Sequence, residues 1–238
     1  MSVPLSRIEL KRQSVALIGR SKPKAIYVAA IYLLISFVLT ELSGRILGIN
    51  MPISKVQQYL EHVQNGNLEY ALSLLETMAP TPLGHFITIV IDLVLMVVFA
   101  GFNIYLLNTI RGTEPAYGNL LDGFGFFGKV MLLSILKTIF ISLWSLLFIV
   151  PGIIASYRYK MALYVLIDNP DMSVMDCLRE SKRLMVGRKM DFFVLELSFI
   201  GWIILASFGY VGYIIQIWTL PYMNFTYCLY YENLRMKA

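Results

Sequence analysis

KVMLLSILKTIFISLWSLLFIV, residues 129–150, decides the fold class. Past Lys129 its one charged side chain is Lys137, and Leu, Ile, Val, Met, Phe and Trp fill most other positions. A helix needs a run of about 20 such residues to cross about 30 Å of hydrocarbon at about 1.5 Å per residue. A strand of that length would be far above the usual five or six residues. Working outward, comparable runs occupy residues 25–46, 83–110, 191–208 and 210–231, with a shorter one at 153–167. The pattern predicts an all-α fold: a polytopic transmembrane helical bundle of about six spans plus interfacial amphipathic helices, forming one integral membrane domain over residues 1–238.

Composition points the same way. Of 238 residues, 58% are hydrophobic and only 15% charged, and the mean hydropathy is +0.67. A soluble domain carries about a quarter charged residues, and this chain folded in water would expose apolar surface prone to aggregation. The net charge of +5 is read as positive-inside loops facing anionic lipid, with no nucleic-acid partner expected. Basic residues precede the first apolar run, as in a signal peptide. That run is longer than a normal signal core and lacks a small-x-small site after it, so it reads as a retained first span.

Charge also sets an expected topology. Arg7, Lys11, Arg12, Arg20, Lys22 and Lys24 precede the first span against Glu9 alone, which places the N-terminus inside. Residues 50–82 carry Glu61, Glu69 and Glu76 against Lys55 and read as external. Residues 156–191 hold Arg158, Lys160, Arg179, Lys182, Arg183, Arg188 and Lys189. Six spans place that cluster and both termini in the cytoplasm. A five-span alternative, with 153–167 not returning across the bilayer, places the cluster outside.

Amphipathic segments flank the spans. Ser6 and Glu9 form a capping box for a helix over residues 5–19 that ends at Gly19, with Arg7, Lys11 and Arg12 facing headgroups. Ser173 and Asp176 open another that ends at Gly187, with Val174, Cys177, Leu178 and Met185 on one face. A polar helical hairpin is expected between Ser54 and Pro80–Pro82. Pro151-Gly152 is expected to stop the span at 129–150, and Pro221 to kink the last one.

The intramembrane ionisable residues are the candidates for function: Asp92, Lys137, Arg158, Lys160 and Glu196. Lys137 and Glu196 lie at matching depths and are expected to pair, while Arg158 and Lys160 snorkel toward headgroups. Asp92 sits nearer the outer face. The competing reading is a proton- or ion-coupled path through the bundle. GFGFFG at residues 123–128 matches a dinucleotide fingerprint, but a membrane helix precedes it where a strand is required, and no acid follows at the right distance. His62 and His85 have no ligand-spaced partners, and Cys177 and Cys228 lie far apart, so no metal, cofactor or disulfide is expected. No nucleophile–base constellation marks an enzyme.

Several motifs then line up. Arg7 to Lys11 opens the chain and Asp122-Gly-Phe precedes residue 129. LFIVPGI contains Pro151 and Gly152, and the turn Asp168-Asn169-Pro170 follows. Ser181-Lys-Arg-Leu-Met with Gly187 comes next, and LSFIGW ends in Gly201-Trp202. Together they resemble the bacterial membrane family known as domain of unknown function 975, and more distantly the membrane domain of some glycerophosphodiester phosphodiesterases. The family has no established activity, so the resemblance implies location and architecture. Its motif positions have structural explanations: a helix break, a turn, a cap and helix packing. The leading functional expectation is a non-catalytic membrane protein whose partners are lipid, another envelope protein or a second copy of the chain. The alternative is a small transporter or lipid-handling permease using Asp92, Lys137 and Glu196.

Overall fold

A computed structural model of the chain describes residues 6–46, 53–78 and 82–236. All regular structure among them is helical. In chain order the helices are α1 (Arg7–Arg20), α2 (Ala25–Ile46), α3 (Ile53–Gln64), α4 (Leu68–Met78), α5 (Pro82–Arg111) and α6 (Asn119–Asp122). A 3-10 turn, Gly123–Phe126, leads into α7 (Phe127–Leu147), α8 (Ile149–Arg158) and α9 (Ala162–Asp168). The last four are α10 (Val174–Leu184), α11 (Lys189–Leu197), α12 (Ile200–Ala206) and α13 (Gly209–Arg235). They form two compact units, one of Leu34–Leu95 and one of Met1–Leu33 with Met96–Ala238.

In the smaller unit α3 and α4 pack as the expected polar hairpin. Gly66 takes φ 74° at its turn, a conformation open to glycine at little cost, and the His62 and Tyr70 rings lie 4.2 Å apart. Pro82 starts α5 instead of ending the hairpin, since proline's missing N–H is harmless at a helix start. Pro80 lies outside the described residues.

Among the described residues, three stretches are long and apolar enough to cross a membrane: Ala25–Gly44, Pro82–Arg111 and Asn119–Leu147. Large apolar side chains stand exposed along them at helical spacing. Tyr27, Ile31, Leu34, Val38 and Leu42 line α2; Leu132, Ile135, Ile139 and Leu143 line α7. Such stripes fit lipid and not water.

The remaining expected spans differ in form. Residues 153–167 fall in α8 and α9, which are separated at 159–161, and residues 191–208 fall in α11 and α12, separated at 198–199. Residues 210–231 lie in one helix, α13, which runs on through a buried Pro221. The chain turns at Phe148, in extended backbone, so the break comes before Pro151-Gly152. Pro151 occupies the first turn of α8, where it disrupts nothing. Gly152 faces α7 so closely that a Cβ there would come 2.1 Å from Ser145 Oγ.

The GFGFFG glycines divide by location. A Cβ on Gly123 would lie 2.3 Å from the Val97 carbonyl oxygen, and one on Gly101 2.2 Å from that of Leu120. The two glycines let α5 cross the α6 segment backbone to backbone. Gly125 and Gly128 face open space.

Candidate functional site: charged junctions at two helix breaks

Each helix break is closed by a side chain from a helix outside it. At the first, the buried Ser181 hydroxyl of α10 donates to the Arg158 carbonyl at 3.0 Å and accepts from Met161 N–H at 3.1 Å. At the second, the Lys11 ammonium of α1 donates to the Ser198 carbonyl at 3.2 Å and lies 4.3 Å from the centre of the Phe199 ring. An interrupted helix in an apolar setting needs such substitutes for its lost backbone bonds.

α1 and α10 are built alike for this task. Ser6 accepts from Glu9 N–H and Ser173 from Asp176 N–H, each at 3.2 Å, so both expected capping starts form. At the same distance along each helix comes a fully buried serine, Ser14 or Ser181. Ser14 shares a 2.9 Å hydrogen bond with Thr226 of α13. α1 therefore packs into the fold through Leu10, Ser14 and Ile18, and the Lys11 ammonium is engaged by the Ser198 carbonyl. It also passes Gly19 and ends at Ser21, whose hydroxyl accepts from Ala25 N–H at 2.9 Å. On α10 the Asp176 carboxyl is held below its ordinary value by the Ser173 hydroxyl and Arg179, and burial pushes the Cys177 thiol up. α10 ends at Leu184, short of the expected Gly187, which takes φ 70° in the turn that follows.

The two breaks are joined by charge. Lys160, within the first, pairs with Glu196, near the end of α11, at 2.5 Å. The ammonium also lies 5.5 Å from the Tyr227 ring centre and 5.7 Å from that of Phe192. The phenols of Tyr157 and Tyr227 gather at the same carboxylate. The expected Lys137–Glu196 pair is thus replaced by Lys160–Glu196, because the break turns Lys160 inward where a continuous helix would let it snorkel. Lys137 is half-buried and within electrostatic reach of both. Arg158 does not snorkel freely either: its guanidinium lies 5.7 Å from the Trp144 ring centre, and Nε has no hydrogen-bond partner. Asp92 is exposed and belongs to the Leu34–Leu95 unit, so it does not join these residues within one unit.

A second cluster ties helix ends. Arg111 at the end of α5 pairs with Asp168 at 2.8 Å and, through Nε, with Glu232 of α13 at 2.7 Å. Tyr231 donates to Asp168 at 2.7 Å, and Arg235 approaches the same carboxylate at 3.2 Å. Asp168, expected only as a turn residue, is the hub. Asn169 does close α9, donating to the Val165 carbonyl, and the Pro170 carbonyl accepts from Lys129. Sequence reading passed over Arg111 and Glu232, which sit among apolar and polar neighbours in no motif.

Gly201 and Trp202 were expected to serve helix packing. Gly201 faces open space. Trp202 does pack, 5.2 Å from Trp218, beside a cavity of about 310 Å³ lined by Gln216, Thr219 and Asn224 among others.

The fold and these junctions define an all-helical protein with apolar helices long enough to cross a membrane. Within it, residues 146–238 match the family described as protein of unknown function (DUF975), which supports the resemblance carried by the motifs from Leu147 onward. The matched part covers α8 to α13, including both breaks, the Lys160–Glu196 pair and Asp168. No curated protein and no solved structure matches the chain.

Proposed function

We propose that the chain is a non-catalytic, multi-pass protein of a bacterial plasma membrane that engages anionic lipid through basic side chains of α1 and α10. In this arrangement there are six spans: α2, α5, α7, α8 with α9, α11 with α12, and α13. The broken arms support it by length, since residues 149–168 and 189–206 extend about 30 and 27 Å at helical rise, close to the hydrocarbon thickness. Both termini and α10 then face the cytoplasm.

The observation that carries the scaffold reading is the Lys160–Glu196 pair at 2.5 Å. A transport path would present its charges to a water-filled cavity, whereas here the carboxylate is engaged by an amine and two phenols. Cavities of about 310 and 250 Å³ are lined by other residues. Arg12 and Arg20 on α1 and Lys182 on α10 are exposed and suited to phosphate headgroups, while the exposed Arg179 and Arg183 are paired with Asp176 and Glu180.

Thermal unfolding in nanodiscs tests the reading. Adding phosphatidylglycerol to a phosphatidylcholine disc is expected to raise the melting temperature at low salt, and high salt to reduce the gain. Identical melting in both discs, or solute flux through reconstituted vesicles that stops on Glu196→Gln, would sink it.

A further inference from the structure

Lys137 stands at the midpoint of the 21-residue α7 and makes no hydrogen bond or ion pair among the described residues. The register of the α7–α8 hairpin fixes its level. Gly152 abuts Ser145, and the Phe140 and Tyr159 rings lie 5.9 Å apart, so Lys137 comes level with the break that follows Tyr159. Its electrostatic neighbours are Lys160 and Glu196.

The charges there do not balance. Two ammonium groups share one carboxylate, and Glu196 is already engaged by Lys160. Neighbouring acids have other partners: Asp168 and Glu232 hold Arg111 and Arg235, and Asp191 meets Arg7 and the Tyr230 hydroxyl. A lone ammonium at membrane depth calls for an anion.

We propose that Lys137, with Lys160 beside it, binds an oxyanion of the phosphate class. Lys137 offers three unused donors and Lys160 those left by Glu196, while the Tyr157 and Tyr227 hydroxyls beside them stay engaged with Glu196. A phosphate has enough acceptor oxygens for this donor set, and ammonium groups bind it as point charges. Discontinuous helices meeting near mid-membrane commonly frame binding sites for charged ligands. The oxyanion arrives as a lipid headgroup or as a free anion. This site rests on the multi-pass reading above but not on the basic faces of α1 and α10.

The test uses the full chain, wild type beside Lys137→Met and Lys137→Arg. Inorganic phosphate is titrated calorimetrically into protein in phosphatidylcholine nanodiscs. Retained phosphatidylglycerol is counted by native mass spectrometry after release from discs doped with that lipid. Binding of either probe to the wild type, weakened about tenfold or more in Lys137→Met and kept in Lys137→Arg, is the expected result. The probe that responds names the source. Equal binding by all three proteins, or no binding of either probe to the wild type, overturns the proposal. Lys137→Met removes a charge from an apolar helix, which favours insertion, and its circular dichroism and elution are compared with wild type to check that the fold is kept. Should the lipid-dependent melting of Lys137→Met match wild type while phosphate binding is lost, the two readings separate.

Discussion

Gly123 shows what one hydrogen can decide. It is buried where α5 crosses, and a methyl there would need to occupy space 2.3 Å from the Val97 oxygen, a backbone atom that moves only with its helix. Gly123→Ala is expected to destabilise by about 1–3 kcal/mol, in the range for overpacking. Gly125→Ala, two positions on and facing open space, is expected to be neutral or slightly stabilising. Thermal unfolding in detergent compares them, and equal melting temperatures would remove the crossing argument. The six-residue motif thus declared its glycines in the sequence but not which of them matters. That depends on Val97 and Gly101 of α5, whose approach is tertiary. Asp168 was illegible for the same reason. Its turn chemistry is local and readable, while its partners Arg111 and Tyr231 lie 57 and 63 positions away.

At the scale of elements, the starts of α1 and α10 were readable to the residue, because Ser6-x-x-Glu9 and Ser173-x-x-Asp176 are local signals with local causes. Their role was not. A polar serine on an apolar face looks like a flaw until the gap it fills is seen, and neither gap is marked by proline or a glycine run: residues 159–161 are Tyr-Lys-Met and 198–199 Ser-Phe. Hydrophobicity reports only that such a stretch prefers lipid, not whether its helix is continuous. Ser181→Ala tests the plug. It strands the Arg158 carbonyl and the Met161 N–H together, and the expected loss is about 1–3 kcal/mol per group left without a partner. Loss of the buried bond should also loosen the break, raising hydrogen exchange at Met161 and Ala162 above that at Leu166, inside α9. Unchanged exchange at the break would show that the backbone finds other partners there.

For the whole molecule, the open matter is whether the two hairpins, α7 with α8–α9 and α11–α12 with α13, cross the bilayer or dip in and return. Their tips are apolar: Leu146, Phe148 and Ile149 are 82, 74 and 78% exposed, and Phe208 and Tyr210 are 62 and 73% exposed. An apolar tip suits burial among lipid tails as well as a tight external turn, so composition alone does not choose. Length does favour crossing, since the arms match the hydrocarbon thickness. Cysteine accessibility decides it. Cys177 and Cys228 are both fully buried, so they stay silent toward an impermeant thiol reagent, and Cys177 cannot itself report the side it faces. Single cysteines at new positions then report alone. With six spans, Phe148→Cys and Phe208→Cys are expected to react from outside intact cells, and Lys182→Cys on exposed α10 only after the membrane is opened. Protection of both tips from either side would instead place them inside the bilayer, leave α10 in the cytoplasm because each hairpin then starts and ends on that face, and reduce the crossings while keeping every contact described within the larger unit.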